Sequence, residues 1–292
     1  MLDQPLIINL APTGAVADAR KNPAVPIVPS DIIAAVTACA RLGASMAHIH
    51  VRNEDGTPSC DPKLFARVLS GLREQPATRE LILCATTSGR HGQDLQQRTA
   101  VLDLPSDIRP DMASLTLGSI NFATCANINA PDTIRQLVDR MNERGVKPEL
   151  EVFDLGMIEF AKVLIREGRL TPPYYFNLLL GNMSGLQATP QHLGLALSNM
   201  PHEAIVAVAG IGRYQITAHA LGIASCEGVR VGLEDNLWSD QKMRSPSTNE
   251  TSTQRIIDLC RLLGRSIATP ESVRRRLGLQ GTAPGCNLDA ET

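Results

Sequence analysis

Short apolar runs alternate with amphipathic stretches along the whole 292-residue chain, and this alternation restricts the fold more than any other feature. The apolar runs predict eight β-strands, at 6–10, 46–51, 81–86, 111–116, 150–153, 174–180, 204–209 and 228–233. The amphipathic stretches predict helices, at 30–42, from 61 onwards, and at 93–102, 132–142, 158–167, 215–221, 251–263 and 270–277. Parallel strands need crossover connections of this kind, and strands covered on both faces are apolar throughout. The chain is therefore predicted to be an α/β protein with a parallel sheet.

Eight strand–helix units without a change in composition are typical of a single (β/α)8 TIM barrel. We predict one domain over 1–292, with a core at about 5–265 and an extra C-terminal helix and tail at about 266–292. Ser30 and Asp61 are the predicted N-caps of the first two helices, because their side chains accept hydrogen bonds from free backbone N–H groups. A doubly wound sheet is the alternative fold.

Polar residues fall at the C-terminal ends of the predicted strands. In a barrel these ends converge on one pocket, where barrel enzymes have their active sites. The residues concerned are Thr13, His48, His50, Thr86, Thr87, Ser88, Thr116, Glu234 and Asp235. Their position favours the barrel over the doubly wound sheet and predicts the functional site.

The second predicted strand contains two histidines, His48 and His50, which are two residues apart. Side chains alternate across a strand, so both imidazoles point to the same side and could share one metal ion. A histidine on an apolar strand is also often a hydrogen-bonded core residue, which leaves both interpretations open. A catalytic zinc site takes three protein ligands, and two histidines with one glutamate is a recurring set.

The eighth predicted strand supplies a candidate for the third ligand. Arg230, Gly232 and Glu234 share one face by the same alternation, with Arg230 deeper in the barrel and Glu234 at its rim. Charged residues at the end of a short apolar strand are costly to bury unless they are paired or bound to a metal. An ion pair between Arg230 and Asp235 with a purely structural role is the alternative. Taken with the two histidines, a zinc site of His48, His50 and Glu234 accounts better for the pattern.

Composition excludes several classes of partner. The net charge is −2 and 43% of the residues are apolar, so there is no basic surface for nucleic acid or an anionic membrane. We expect neither a signal peptide nor a membrane span. The seven cysteines are scattered and form no CxxC pair, which favours reduced thiols in a cytoplasmic protein.

Four segments together resemble the β-keto acid cleavage enzymes, the family of 3-keto-5-aminohexanoate cleavage enzyme. They are Thr13–Gly14 and the stretches 47–53, 114–122 and 229–236, and the resemblance extends from the first strand to about Leu279. It implies a zinc-dependent (β/α)8 barrel, usually a homotetramer. The implied reaction converts a β-keto acid and acetyl-CoA into acetoacetate and a new acyl-CoA.

The resemblance also implies roles for individual residues. His48, His50 and Glu234 are expected to bind the zinc ion, and Arg230 with Asp235 to abstract a proton. The hydroxyl contacts of the family are expected at Ser88, or its threonine neighbours, and at Thr116. This donor set agrees with the chemistry, because a metal and nearby donors stabilise the charge that develops on a deprotonated keto acid.

The chain departs from the family pattern at the first strand. Relatives that act on an amino-bearing substrate have an acidic residue shortly after the Thr–Gly pair, whereas here Gly14 is followed by Ala15-Val16-Ala17. We therefore expect a neutral or anionic β-keto acid. Arg20 or Lys21 could meet a second carboxylate, or both could be solvated loop charges.

Candidate contacts for acetyl-CoA are Gly210, Gly212 and Arg213, because barrels often bind phosphate near the loops after strands seven and eight. The alternative is that the two glycines only form a turn. A zinc-dependent barrel aldolase, lyase or hydrolase is the alternative function. It is less favoured because His91, His192, His202 and His219 do not fall at predicted strand ends.

Overall fold

The computed structural model describes residues 4–90 and 92–279, and its central feature is a closed barrel of eight parallel strands. The strands are β1 (Ile7–Leu10), β2 (Met46–Ile49), β3 (Ile82–Ala85), β4 (Met112–Thr116), β5 (Lys147–Val152), β6 (Tyr174–Leu180), β7 (Ala204–Gly210) and β8 (Gly228–Val231). Consecutive strands are neighbours, and β1 closes the barrel by pairing with both β2 and β8. The predicted (β/α)8 barrel is confirmed, and the doubly wound sheet is excluded.

Helices follow the strands and cover the outside of the barrel. They are α1 (Pro29–Leu42), α2 (Pro62–Glu74), α3 (Leu95–Thr99), α4 (Pro131–Glu143), α5 (Leu155–Arg166), α6 (Pro190–Ser198), α7 (Gln215–Ser225), α8 (Asn249–Leu262) and α9 (Pro270–Leu277). The helix α6 has no counterpart among the sequence predictions. None of these helices, which lie within 4–90 and 92–279, has both the length and the apolar character of a transmembrane segment.

One predicted helix start is confirmed and one is wrong. The Asp61 side chain accepts a hydrogen bond from Lys63 N at 2.9 Å, as expected for an N-cap. Helix α1 instead begins at Pro29, one residue before the predicted start, and Ser30 is not its cap. Proline is favoured in the first turn because its fixed φ suits a helix and its missing N–H needs no partner there.

Three strand boundaries differ from the prediction in ways that matter for the site. Strand β8 ends at Val231, two residues before its predicted end, so Glu234 and Asp235 follow the strand. Strand β2 ends at Ile49, so His50 lies just beyond the strand rather than within it. Strand β5 begins at Lys147, three residues before its predicted start, and therefore includes Glu149. A charged residue interrupts the apolar pattern that predicts a strand, although the barrel interior can accommodate it when it finds a partner.

Helix α9 closes the N-terminal end of the barrel. Its Val273 and Leu277 are fully buried and pack with Ile7, Met46 and other side chains from the barrel interior. On the same helix, Arg274 is 4% exposed and forms an ion pair with a carboxylate at the start of β4, so it is not a solvated residue. The predicted tail after this helix lies outside the described residues from 280 onwards.

Candidate active site

A cavity of about 390 Å³ opens at the C-terminal ends of the barrel strands. Several residues that the sequence places at strand ends line it, namely His50, Thr86, Ser88, Thr116, Arg230, Glu234 and Asp235. Apolar side chains such as Phe122, Phe153 and Leu179 form much of the remaining wall. The predicted convergence of polar strand ends on one pocket therefore occurs.

A larger cleft of about 1030 Å³ lies at the opposite end of the barrel. Its walls include Asp111 and Lys147, which stand at the start of β4 and β5, and it contains no histidine. Barrel enzymes have their active sites at the C-terminal face. The smaller cavity is therefore the candidate active site despite its size.

His48 is fixed in one orientation inside the barrel. It is 1% exposed, and its Nδ1 donates a hydrogen bond to Glu149 Oε2 at 2.6 Å. Burial raises the pKa of Glu149, but the neighbouring His48 and Arg230 outweigh it and hold this pKa at about 2, so the residue is a carboxylate. With Nδ1 engaged in this way, Nε2 remains as the ligand atom, which is the usual arrangement of metal-binding histidines.

The geometry and chemistry of His48, His50 and Glu234 fit a divalent metal ion. One ligand atom from each lies within 4.8 Å of the others, and Glu234 Oε1 is 3.3 Å from His50 Nε2 and 4.0 Å from His48 Nε2. Glu234 Oε2 is buried without a hydrogen-bond partner in the described residues. Burial lowers the pKa of His50, so its imidazole is neutral, as ligation requires. Two imidazole nitrogens that face one oxygen of a carboxylate, whose other oxygen is unpartnered, fit the predicted zinc set.

A second group of possible ligands within the described residues consists of His48, Cys84 and Glu149. These three are buried, and both His48 and Cys84 already bond to Glu149, with Cys84 Sγ 3.2 Å from Glu149 Oε2. Burial, together with Glu149, raises the pKa of the Cys84 thiol well above its usual value. A thiol must be deprotonated to bind a metal. The group also does not line the cavity, so the set with His50 and Glu234 fits better.

Arg230 is the electrostatic centre of the site. It is 1% exposed, and it donates to both oxygens of Asp235, from Nε at 2.9 Å and from Nη2 at 3.1 Å. It also contacts Glu234 Oε1 at 2.6 Å and Glu151 Oε1 at 3.3 Å. Burial raises the pKa of Asp235 to about 6 even though Arg230 opposes it. Asp235 is thus a stronger base than an exposed aspartate, although an ion pair by itself lowers the pKa of a carboxyl group.

Two carboxylates on β5, Glu149 and Glu151, are not among the residues predicted from the sequence. They are two residues apart, so both point into the barrel. Glu149 accepts a hydrogen bond from Asn9 Nδ2 at 2.7 Å, and Glu151 accepts one from Thr116 Oγ1 at 2.7 Å. The alternation of charged and apolar residues in 147–152 is the signal that would have revealed them.

The predicted hydroxyl contacts both line the cavity, but they differ in their hydrogen bonds. The hydroxyl of Thr116 already donates to a carboxylate, as described above. Ser88 Oγ accepts from the backbone N–H of Arg90 at 3.3 Å, and in the described part of the chain its hydrogen has no acceptor. Ser88 is therefore the residue with a free donor.

Of the predicted CoA contacts, only Gly212 lines the cavity. Gly210 packs closely against helix α7 and the turn before it, where a Cβ would lie 2.5 Å from the Cα of Gln215. Arg213 stacks on the ring of Tyr214, with 5.1 Å from its guanidinium carbon to the ring centroid. A role of these residues in CoA binding stays a prediction.

The remaining histidines of the described chain do not line the cavity. His192 Nδ1 accepts a hydrogen bond from a nearby backbone N–H, the side chain of His202 is 96% exposed, and His219 is bonded to the Arg230 carbonyl. His91 lies outside the described residues. These placements agree with the sequence argument against a histidine-rich hydrolase site.

The fold and the site define the class of this protein. It is a (β/α)8 barrel in which two histidines, several carboxylates and a buried arginine gather around one cavity at the C-terminal face. Charged groups buried in this way serve catalysis or metal binding in barrel proteins. The chain is accordingly a barrel enzyme.

Comparisons with known proteins identify its family. A family model described as beta-keto acid cleavage enzyme matches residues 5–279. The 3-oxoadipate:acetyl-CoA acetyltransferase of Cupriavidus necator is 36% identical over 294 residues, which cover 100% of this chain and 99% of that protein. The 3-keto-5-aminohexanoate cleavage enzyme of Fusobacterium nucleatum is 35% identical over 276 residues, which cover 94% and 98%.

Among solved structures, apo ObcA superposes with a TM-score of 0.74 at 20% identity and supports the fold. The superposition covers 88% of this chain but 66% of ObcA, so the chain spans about two thirds of that protein. The chain belongs to the β-keto acid cleavage enzyme family, as the sequence motifs predicted. It is an acyl-transferring enzyme that cleaves a carbon–carbon bond.

Proposed function

We propose that this enzyme condenses a neutral or anionic β-keto acid with acetyl-CoA, giving acetoacetate and a new acyl-CoA, at a zinc site of His48, His50 and Glu234. The observation that carries the proposal is the meeting of these ligands with the buried Arg230–Asp235 pair beside one cavity. The names of the relatives support acetyl-CoA as co-substrate. The absence of an acidic residue at positions 15–17, directly after Gly14, supports a substrate without an amino group.

His48, His50 and Glu234 would hold a divalent ion beside the cavity, and this ion would supply a Lewis acid that stabilises the negative charge developing on the keto acid. Asp235 takes a proton from C2 of the keto acid, and Arg230 holds its carboxylate in place through two hydrogen bonds. The C2 carbanion forms a bond to the acetyl carbonyl carbon of acetyl-CoA, and the CoA thiolate leaves.

The second half of the reaction reverses this chemistry at C3. The thiolate attacks C3, the C2–C3 bond breaks, and Asp235 returns the proton to C2. Acetoacetate then contains C1 and C2 of the keto acid together with the acetyl group, and the carbons from C3 onwards leave as acyl-CoA. The free hydroxyl of Ser88 donates to the oxyanions that form, and Thr116 orients Glu151 against Arg230. Gly212 at the cavity wall is the proposed contact for the CoA chain.

Metal content and turnover on one sample test this function. We expect about one zinc per chain and acetoacetate formation that requires acetyl-CoA. His48→Ala and His50→Ala are expected to lose both, whereas His202→Ala is the matched control because its exposed side chain lies outside the cavity. Full turnover by the metal-free protein, or turnover without acetyl-CoA, would contradict the proposal and favour the lyase or hydrolase alternative.

A substitution at Gly14 tests whether the position of Glu234 matters for zinc binding. It has φ of +60°, and a Cβ at this position would lie 2.4 Å from Glu234 Cγ. Gly14→Ala should therefore displace the carboxylate and weaken zinc binding by about 10-fold to 100-fold. The affinity is measured by competition with a chelator of known affinity.

Gly56→Ala is the control for this substitution. Gly56 also has a positive φ, of +81°, but a Cβ there would have no atom within 4 Å. Both variants carry the same kind of backbone strain, and only Gly14→Ala adds a clash with a ligand. Equal zinc affinities in the two variants would show that Glu234 does not bind the metal.

The resemblance further supports a homotetramer, and the scattered cysteines support a cytoplasmic location. The homotetramer and the cytoplasmic location are therefore parts of the proposed function. Light scattering that gives the mass of a single chain at micromolar concentration would contradict the tetramer.

A further inference from the structure

The charged groups that line the active-site cavity fall into two sets. Arg230 lies among Glu151, Glu234 and Asp235, so carboxylates of the protein already surround its charge. Arg90 lines the same cavity and has no carboxylate partner among residues 4–90 and 92–279. A guanidinium has five N–H donors and cannot lose its proton, so it needs an acceptor when substrate displaces water.

Arg90 is held in place although its donors are not occupied. Its guanidinium carbon lies 3.6 Å from the ring centroid of Phe122, and Phe122 packs edge-to-face on Phe153 with the centroids 5.8 Å apart. Its Nε contacts the sulfur of Cys125 at 3.5 Å, which is a weak interaction. Neither of its terminal nitrogens makes a hydrogen bond within the described part of the chain. Stacking on an aromatic ring orients a guanidinium and leaves its edge free for a ligand.

A second polar group without a partner lies in the same cavity wall. Asn127 is 4% exposed and lines the cavity, and its Oδ1 is buried with no hydrogen-bond partner in the described residues. It lies on the short β-hairpin formed by Ile120–Asn121 and Ala126–Asn127. The stretch of chain between the two hairpin strands includes Phe122 and Cys125, which contact Arg90. The amide oxygen accepts hydrogen bonds and cannot bond a carboxylate, but Nδ2 of the same amide can donate to one, and it makes no hydrogen bond within the described residues.

We propose that Arg90, together with the amide nitrogen of Asn127 in the same cavity wall, binds a second carboxylate of the substrate, so that the enzyme acts on β-keto dicarboxylic acids. The inference rests on the proposed function and narrows its substrate class. In this arrangement the first carboxylate and the keto group of the substrate lie near the metal ligands and the Arg230–Asp235 pair. The distal carboxylate of the substrate lies against Arg90. After cleavage of the C2–C3 bond the distal carboxylate leaves with the acyl-CoA, and acetoacetate forms as before.

The cations that the sequence suggested for this role do not line the cavity. Arg20 is bonded to Asp18, and its side chain is 91% exposed. Lys21 is exposed as well. The interpretation of both as solvated loop charges is therefore the better one, and Arg90 takes the role that the loop was expected to supply.

A matched pair of substrates tests the inference on the unmodified enzyme. The six-carbon acids 3-oxoadipate and 3-oxohexanoate differ only in a carboxylate or a methyl group at C6. With saturating acetyl-CoA and a zinc-loaded enzyme, we expect kcat/KM for the diacid to exceed that for the monoacid by about 100-fold. Equal efficiency with both would overturn the inference but leave the proposed function standing. Acetoacetate from neither would overturn the proposed function, and the inference with it.

Arg90→Met removes the charge and keeps an unbranched side chain on Phe122. We expect the ratio of the two kcat/KM values to fall by about 100-fold and Arg90→Lys to recover part of it. Arg20→Met is the matched control, because it removes an arginine outside the cavity, and the ratio is expected to stay at the wild-type value. An unchanged ratio in Arg90→Met, together with a raised KM for acetyl-CoA, would assign Arg90 to CoA and overturn the inference.

Discussion

Asp235→Asn is expected to lower kcat for acetoacetate formation by about 1000-fold without a change in the zinc content that the proposed function predicts. The amide has nearly the same shape as the carboxylate but cannot take the proton from C2. Asp235 is held by two hydrogen bonds from Arg230 and is not needed as a metal ligand in the proposed site. Steady-state rates and metal analysis of the same preparation measure both quantities.

The proton-transfer step can also be followed without acetyl-CoA. In D2O, the wild-type enzyme should accelerate exchange of the C2 hydrogens of the keto acid, and Asp235→Asn should not exceed the spontaneous rate. Glu151→Gln is the comparison, because Glu151 also contacts Arg230 and lines the cavity. If Glu151→Gln abolished exchange while Asp235→Asn retained it, the assignment of the base to Asp235 would be wrong.

Arg230→Met is expected to lower the free energy of unfolding by about 3–5 kcal/mol. The substitution leaves Glu151, Glu234 and Asp235 in a buried site without the cation that they share. Removing one partner of a buried ionic cluster is costly because the remaining charges stay desolvated. Urea unfolding in the presence of a chelator measures this effect without a contribution from bound metal.

Arg135→Met is the control for the effect on stability. Arg135 forms an ion pair of similar length with Glu167, at 2.8 Å, but on the surface. Exposed ion pairs contribute at most about 1 kcal/mol, because water and salt screen them. If the two variants lost equal stability, the buried cluster would not have the energetic role assigned to it.

Much of the fold follows from local patterns. The strand β6 and the helix α9 have the boundaries that the sequence predicted, and the barrel follows from the number of strand–helix units. Strand β5 shows where this approach fails. Its Lys147 and Glu149 break the apolar run, and only the barrel supplies the partner that makes the burial of Glu149 possible.

The residues of the candidate site also fall into those that the sequence indicates and those that only the structure reveals. His48, His50, Arg230, Glu234 and Asp235 could be selected from the sequence, because residues at strand ends share a face by alternation and converge at one end of a barrel. Their individual roles stay proposals, and the measurements above test them.

The sequence by itself determined the class of fold, the family and the strand ends that form the candidate site, since periodicity and short motifs are local properties of the chain. The tertiary structure decided which charges meet. His48 and Glu149 are 101 residues apart in sequence, and Arg230 and Glu151 are 79 apart, so their pairing depends on the order and register of the barrel strands. The same closure brings Arg90 into the cavity and leaves Arg20 on the surface, because a loop charge has no periodic pattern to indicate where it points.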